Sequence, residues 1–200
     1  SFTYDGTTLS SQGNRYNPFV MKCKPNGKLI WAHTPYSMSG ADAYGKHILV
    51  TGNGEVYFSG YCNNNNTDSY FTSGNNNTLI PAGIYVGDRL YITKLNAQGV
   101  AQWTSFSVGG QNHYRNMVMA ADTVNKKIRF AASIDYTNAN NNTYVTWFCN
   151  PGQRTTVHGF GNVYQLGGSE SYLGSVNMSD GTLTDNNAAY QIGGNNASVE

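Results

Sequence analysis

The sequence predicts an all-β chain of β-propeller-like, four-stranded antiparallel blades, forming an incomplete ring within its 200 residues. Three observations predict it. Short stretches alternate apolar with polar residues and favour β-branched and aromatic side chains, the pattern of half-buried strands. Asn-Gly pairs at 26–27 and 53–54 stand between such stretches as hairpin turns. A segment of the chain also returns without a gap 72 residues later, and internal self-similarity marks a repeat architecture. No stretch of helix length keeps a 3.6-residue period between capping residues.

Taken in order, residues 1–6 read as the last strand of a preceding blade. The first unit, 19–62, supplies strands at 19–24, 29–33, 47–51 and 56–61. Asn26-Gly27 and Asn53-Gly54 close its two hairpins as type I′ turns, which need positive φ at both central residues. The second unit, 90–136, repeats the pattern. Tyr91 to Trp103 matches Phe19 to Trp31, with Lys94, Gly99 and Trp103 answering Lys22, Gly27 and Trp31. Ile128-Arg129-Phe130-Ala131 then answers Val56-Tyr57-Phe58-Ser59 at the same offset. A partial third unit opens at Tyr172 and runs through 172–200, with a turn one residue longer and no Trp. Residues 1–200 thus read as one propeller segment. Insertions occupy 63–88 and 137–170, the second carrying an extra strand at Tyr144 to Cys149.

Three unit openings do not close a ring for which four to eight blades are typical. Either the residues belong to a longer propeller, or copies complete one another in an oligomer or fibre. Trp31 and Trp103 are read as packing residues between neighbouring blades, because a large apolar ring on the second strand has a blade face to fill. Lys22 and Lys94 share one strand position and are read as rim or hydrogen-bonding residues.

The units resemble SBBP-type β-propeller repeats of exported and surface proteins. The resemblance rests on the aromatic-to-Trp stretch from Phe19 to Trp31, on Gly40 and Tyr44, and on Gly54-Glu55-Val56-Tyr57. The second copy replaces that last turn with Asn125-Lys126-Lys127-Ile128-Arg129. It covers about two thirds of the chain. The resemblance implies an extracellular or cell-surface location and a propeller shape, and it names no activity.

Composition agrees with a polar exterior of low charge. Charged residues make up 12% and the formal net charge is +1, against about 25% charged in an average chain. Neither a nucleic-acid footprint nor a polybasic membrane patch is expected, and no apolar run is long enough for a spanning helix. The first residues, Ser1-Phe2-Thr3-Tyr4, hold no Met and no signal-like stretch, which fits a processed or excised chain. Cys23, Cys62 and Cys149 form no zinc spacing. One disulfide with a leftover thiol, or three buried thiols, both fit.

Five N-x-S/T sequons mark Asn65, Asn76, Asn141, Asn177 and Asn196 as glycosylation candidates, the first three in expected surface loops. Catalytic candidates are absent. His33, His47, His113 and His158 are scattered without metal-ligand spacing, and no metal or cofactor is expected. Asp180 reads as a turn residue, and Asn63 to Asp68 offers calcium one carboxylate only. The expected function is a non-catalytic, extracellular glycoprotein scaffold, structural or adhesive, that associates with itself or with further blades. A carbohydrate-binding module stacking sugars on Trp147, or a fragment of a propeller glycoside hydrolase or lyase, are the alternatives.

Overall fold

The computed structural model describes residues 1–10, 16–34, 36–37, 42–64, 69–73, 76–80, 87–109, 112–136, 145–149, 153–157 and 169–184. Side chains are described in 1–10, 16–34, 42–62, 89–106, 116–132 and 173–184. Among these residues every regular element is a strand, and every pairing is antiparallel. The chain is all-β.

Strands β1 (Phe2–Tyr4) and β2 (Thr7–Leu9) form a tight hairpin. One closing strand was expected here. Asp5 and Gly6 both adopt positive φ, at 46° and 74°, so the chain reverses instead of continuing. β3 (Val20–Cys23) and β4 (Leu29–His33) follow, then a short β5 (Tyr36–Ser37) and the hairpin of β6 (Ala43–Val50) with β7 (Val56–Asn64). The stretch read as a polar insertion holds a further hairpin, β8 (Ser69–Ser73) with β9 (Asn76–Ile80). β10 (Gly87–Leu95) pairs with β11 (Ala101–Gly109), and β12 (Asn112–Asp122) with β13 (Lys127–Tyr136). β14 (Val145–Cys149), β15 (Gln153–Val157) and β16 (Ser169–Asn177) complete the order.

The two Asn-Gly hairpins, and the Gln98-Gly99 hairpin that answers the first, do not use the type I′ turn. At 24–28, 51–55 and 96–100 the first residue donates its N–H to the carbonyl of the fifth, at 2.8, 3.0 and 2.9 Å. The fourth residue, Gly27, Gly54 or Gly99, returns its N–H to the first, and it alone takes positive φ, at 84°, 82° and 79°. This is the three-residue loop with a left-handed glycine. The asparagines serve through their side chains: Asn26 Oδ1 accepts from Lys28 N, Asn53 Oδ1 from Glu55 N, and Asn96 Oδ1 from both Gln98 N and Val100 N.

The strands of a sequence unit do not share a sheet. β3 and β4 pair only with each other, whereas β7 continues into β10, giving a central sheet in the order β15-β14-β11-β10-β7-β6. β12, β13 and β16 make a third sheet. So the units at 19–62 and 90–136 each divide between two sheets, and each larger sheet joins the second hairpin of one unit to the first strands of the next. The reason is long-range. Val56 to Asn64 finds its unbroken partner in Gly87 to Leu95, across the insertion.

The sheets stack face on face. Alternation sends Val56 and Phe58 to one side of β7 and Tyr57 to the other. Val20, Phe58, Tyr91, Leu95 and Phe106 form the cluster between the first and central sheets. Tyr57, Ile92, Trp103, Met119, Phe130 and Val176 form the one between the central and third sheets. Strands β7, β10 and β11 of the central sheet are thereby buried on both faces over their described residues, and they supply most of the fully buried side chains.

Each junction has the same fastening. Trp31 Nε1 donates to the carbonyl of Ala97 at 3.0 Å, and a β-carbon on Gly99 would lie 2.5 Å from the Trp31 ring. Trp103 Nε1 donates to the carbonyl of Met178 at 3.1 Å, and a β-carbon on Gly181 would lie 2.6 Å from its ring. Ala97 and Met178 hold equivalent places in their turns. Before them, Tyr4 Oη donates to the carbonyl of Gly27 at 2.6 Å, and Phe2 stacks on Phe19 with centroids 5.0 Å apart. An aromatic ring from each sheet lies beneath a turn of the next.

Two outcomes follow from this packing. Gly99→Ala meets both a left-handed backbone and the Trp31 ring, and is expected to lower stability by about 3 kcal/mol in urea unfolding. Gly52→Ala, which meets nothing within 4 Å, should stay within about 0.5 kcal/mol. His33, 7% exposed and beside the Phe58 ring, is pushed down to about 4 by burial. Between its ordinary 6.5 and that value the unfolded chain takes up a proton that the folded chain refuses, so stability falls as pH drops through the window. Unfolding at pH 7.5 and pH 5 should differ by about 2 kcal/mol from this group, a difference that His33→Leu removes.

Candidate functional site

Antiparallel pairing sorts the connections by end. The tight turns at 24–28, 51–55, 96–100, 122–127 and 177–182 close hairpins or strand ends at one end of the sheets. The segments leaving β7 after Asn64 and β13 after Tyr136 depart from the opposite end. One end is short and turn-built; the other carries both insertions.

A groove of about 510 Å³ opens at the turn end, between the central and third sheets. Thr51, Asn53, Glu55 and Lys94 line it from the central sheet, and Thr123, Lys126 and Met178 from the third. Lys94 Nζ lies 2.7 Å from Glu55 Oε1, donates to the Met178 carbonyl at 2.9 Å, and sits 5.6 Å from the centre of the Tyr57 ring. Burial would raise the Glu55 carboxyl, but hydrogen bonds from Lys94, Asn53 and Tyr57 outweigh it and hold the acid below its ordinary range. Burial, with the Glu55 charge beside it, pushes the Tyr57 phenol far up. The Met178 carbonyl accepts from Trp103 as well, and Met178 N donates to Lys126 O at 2.9 Å. Lys126 holds positive φ, 55°, where the first unit has Gly54.

This arrangement is a fastening. Two of the three ammonium protons of Lys94 are committed, one to a carboxylate of its own sheet and one to the Met178 carbonyl, and the second bond ties the central sheet to the third. Lys22, at the same strand position in the first unit, is exposed instead. The sequence marked both lysines alike and showed Glu55 only as part of the 54–57 stretch, because its charge partner lies 39 positions along the chain.

The other candidate residues fall in different places. Trp103 is 3% exposed and Trp31 half-buried, both with their indole N–H groups engaged at sheet junctions. Asn177 ends β16, where its Nδ2 donates to Thr182 Oγ1 at 2.7 Å and its backbone N–H to the Thr182 carbonyl at 2.9 Å. Asn76, expected in a loop, opens β9. Asn65, Asn141 and Asn196 lie outside the described residues, as does His158, and Trp147 stands in β14. Asp180 is a turn residue whose Oδ1 accepts from Thr182 N and Oγ1 at 2.9 and 2.7 Å. His33 faces the first junction, while His47 and His113 fall on β6 and β12. Cys62 is buried in the first apolar cluster and Cys23 half-buried, with no bond between them. Cys149 is in β14. Among the described residues no three His, Cys, Asp or Glu side chains gather to hold a metal ion, and no helix is long and apolar enough to cross a membrane.

Comparison with family models, with curated proteins and with solved structures finds no match to this chain.

Lys94→Met leaves Glu55 charged without its partner and the Met178 carbonyl with one donor fewer. Because the pair keeps some contact with solvent, a loss of about 2 kcal/mol is expected in urea unfolding. Adding Glu55→Leu should recover part of it, giving a coupling of about 1 kcal/mol in the double-mutant cycle.

Proposed function

We propose that this chain is a non-catalytic extracellular or cell-surface scaffold, structural or adhesive, built as a segment of an SBBP-like β-propeller. The observation that carries this reading is the repeated junction. Tyr4, Trp31 and Trp103 each engage the next turn, so the rings of Trp31 and Trp103 are spent on joining sheet to sheet. A fold that devotes its largest side chains to stacking its own layers is suited to being assembled and to bearing load. In repeat architectures, insertions gathered at one end form the recognition face, and here both insertions leave from the end opposite the turns.

The same division sorts the sequons. The chain enters the segments holding Asn65 and Asn141 at the insertion end, which suits glycans carried on that face. Asn177 is engaged in the turn that covers Trp103, where a glycan on Nδ2 replaces one of its two hydrogens and crowds Thr182 Oγ1, 2.7 Å away. Secretion from a glycosylating host, with intact mass and site mapping, should find sugar at Asn65, Asn76 or Asn141 and none at Asn177. Sedimentation of the same material should reveal species larger than one chain. A single unglycosylated chain at every concentration overturns the reading.

A further inference from the structure

The two walls of the groove between the central and third sheets differ in what they leave unbonded. On the central-sheet side the polar groups serve one another. Thr51 Oγ1 donates to Asn53 Oδ1, which also accepts from Glu55 N, and the Glu55 carboxylate is taken by Lys94 and Tyr57. On the third-sheet side Thr123, Lys126 and Ser179 are exposed to the groove, and their side chains make no hydrogen bond or ion pair with a described residue. Lys94 adds the third of its ammonium protons, the other two being committed.

Of the three charged residues that line the groove, Glu55 and Lys94 cancel and Lys126 remains. The carboxylates of the surrounding turns are already in use. Asp122 holds Arg129 at 2.8 Å and accepts from Asn125, Asp180 Oδ1 accepts from Thr182, and Glu55 holds Lys94 at 2.7 Å. The backbone of Lys126 makes the same point. It holds φ 55°, in the left-handed region, at the place where the first unit has Gly54 at 82°. Any side chain is disfavoured there, and strain of this kind gathers at binding sites.

The space suits a small molecule better than a lone ion. About 510 Å³ lies within the range of small-ligand clefts. Among the described lining residues Met178 is the one apolar side chain, and it is 8% exposed, so little apolar surface is offered. Hydroxyls donate and accept alike, which fits Thr123 and Ser179 to hydroxyls on a ligand. Ammonium groups fit a carboxylate, through charge-assisted hydrogen bonds.

We infer that this groove binds a polyhydroxylated monocarboxylate of monosaccharide size, an acidic sugar or a sugar-derived hydroxy acid. Lys126 and the third N–H of Lys94 take the carboxylate, and Thr123 and Ser179 take hydroxyls. In the first junction the matching place is Gly54, which brings no amine. The inference goes beyond the scaffold reading and is independent of it, since binding here needs neither assembly nor glycans on the chain.

Sodium glucuronate titrated into the full chain, followed by calorimetry and by amide NMR shifts, tests it. One-to-one binding with a dissociation constant of about 1 mM or below is expected, with shifts at 123–126 and 178–179. Glucose lacks the carboxylate and acetate lacks the hydroxyls, and each should bind at least about tenfold more weakly. Gluconate, the open-chain acid, separates the two sources of this chemistry. Weaker binding than glucuronate assigns the groove to sugar rings, and equal binding assigns it to hydroxy acids at large. Lys126→Gly restores the residue of the first unit and suits the backbone, so the fold is kept, as its melting temperature checks. That chain should bind glucuronate about tenfold more weakly, whereas Lys126→Arg should retain binding. No saturable binding of glucuronate, undiminished binding by the Lys126→Gly chain, glucose or acetate equalling glucuronate, or shifts confined to other turns overturns the inference.

Discussion

An indole can lie flat beneath a hairpin turn only where the turn lacks a β-carbon on the side it presents. That constraint governs this structure. Gly99 and Gly181 take left-handed φ, which lets the chain reverse, and for want of a side chain they also let Trp31 and Trp103 approach. The exposed turn carbonyls of Ala97 and Met178 then satisfy the indole N–H groups, so that burying a Trp leaves no polar atom without a partner. Turn conformation, sheet spacing and indole burial are therefore one feature seen three ways. Altering any of them moves the sheets.

From this follows the division of labour between the two ends. The turns must stay short and rigid because a ring from the neighbouring sheet packs under them. Connections at the far end carry no such load, and it is there that the chain makes its excursions into β8 with β9 and into β14 with β15. The asparagines abundant in the sequence divide in the same way. Asn26, Asn53 and Asn96 cap turn N–H groups, whereas the Asn-rich runs belong to the insertions.

Much of this was legible in the sequence, for physical reasons that also explain what was not. Lys94, Gly99 and Trp103 recur at fixed spacing because junction geometry fixes them together, so self-comparison found the elements of the joint. Strand periodicity found β3, β4, β6, β7, β10 and β13 within a few residues. Sheet membership was hidden, since nothing local in β7 says whether it continues into β6's own unit or across 22 residues to β10. The turn type was misread because Asn-Gly serves two hairpin geometries, and only a capping Asn side chain tells them apart. Glu55 could not be singled out, as its role arises when the 51–55 turn is brought beside Lys94. The insertion at 63–88 looked featureless because Asn and Thr hide a strand pattern that pairing alone reveals.

The first and third sheets, on either side of the central one, differ in polarity. On the third sheet, the face turned away from the core carries Arg129 where the first unit has the buried Tyr57. Asp122 stands in place of Val50, and the two are joined at 2.8 Å. Hydrogen bonds from Asn125 and then from Arg129 hold the Asp122 carboxyl well below the usual carboxylate range, so the pair stays charged. A charged pair on that face discourages a further apolar layer, as the polar outer faces of terminal repeats do. The first sheet differs: Phe19, 46% exposed, stacks on Phe2 of the β1–β2 hairpin, and Ile30 is 49% exposed. The two sheets are thus unlike in polarity, the third carrying a charged pair and the first exposed apolar side chains.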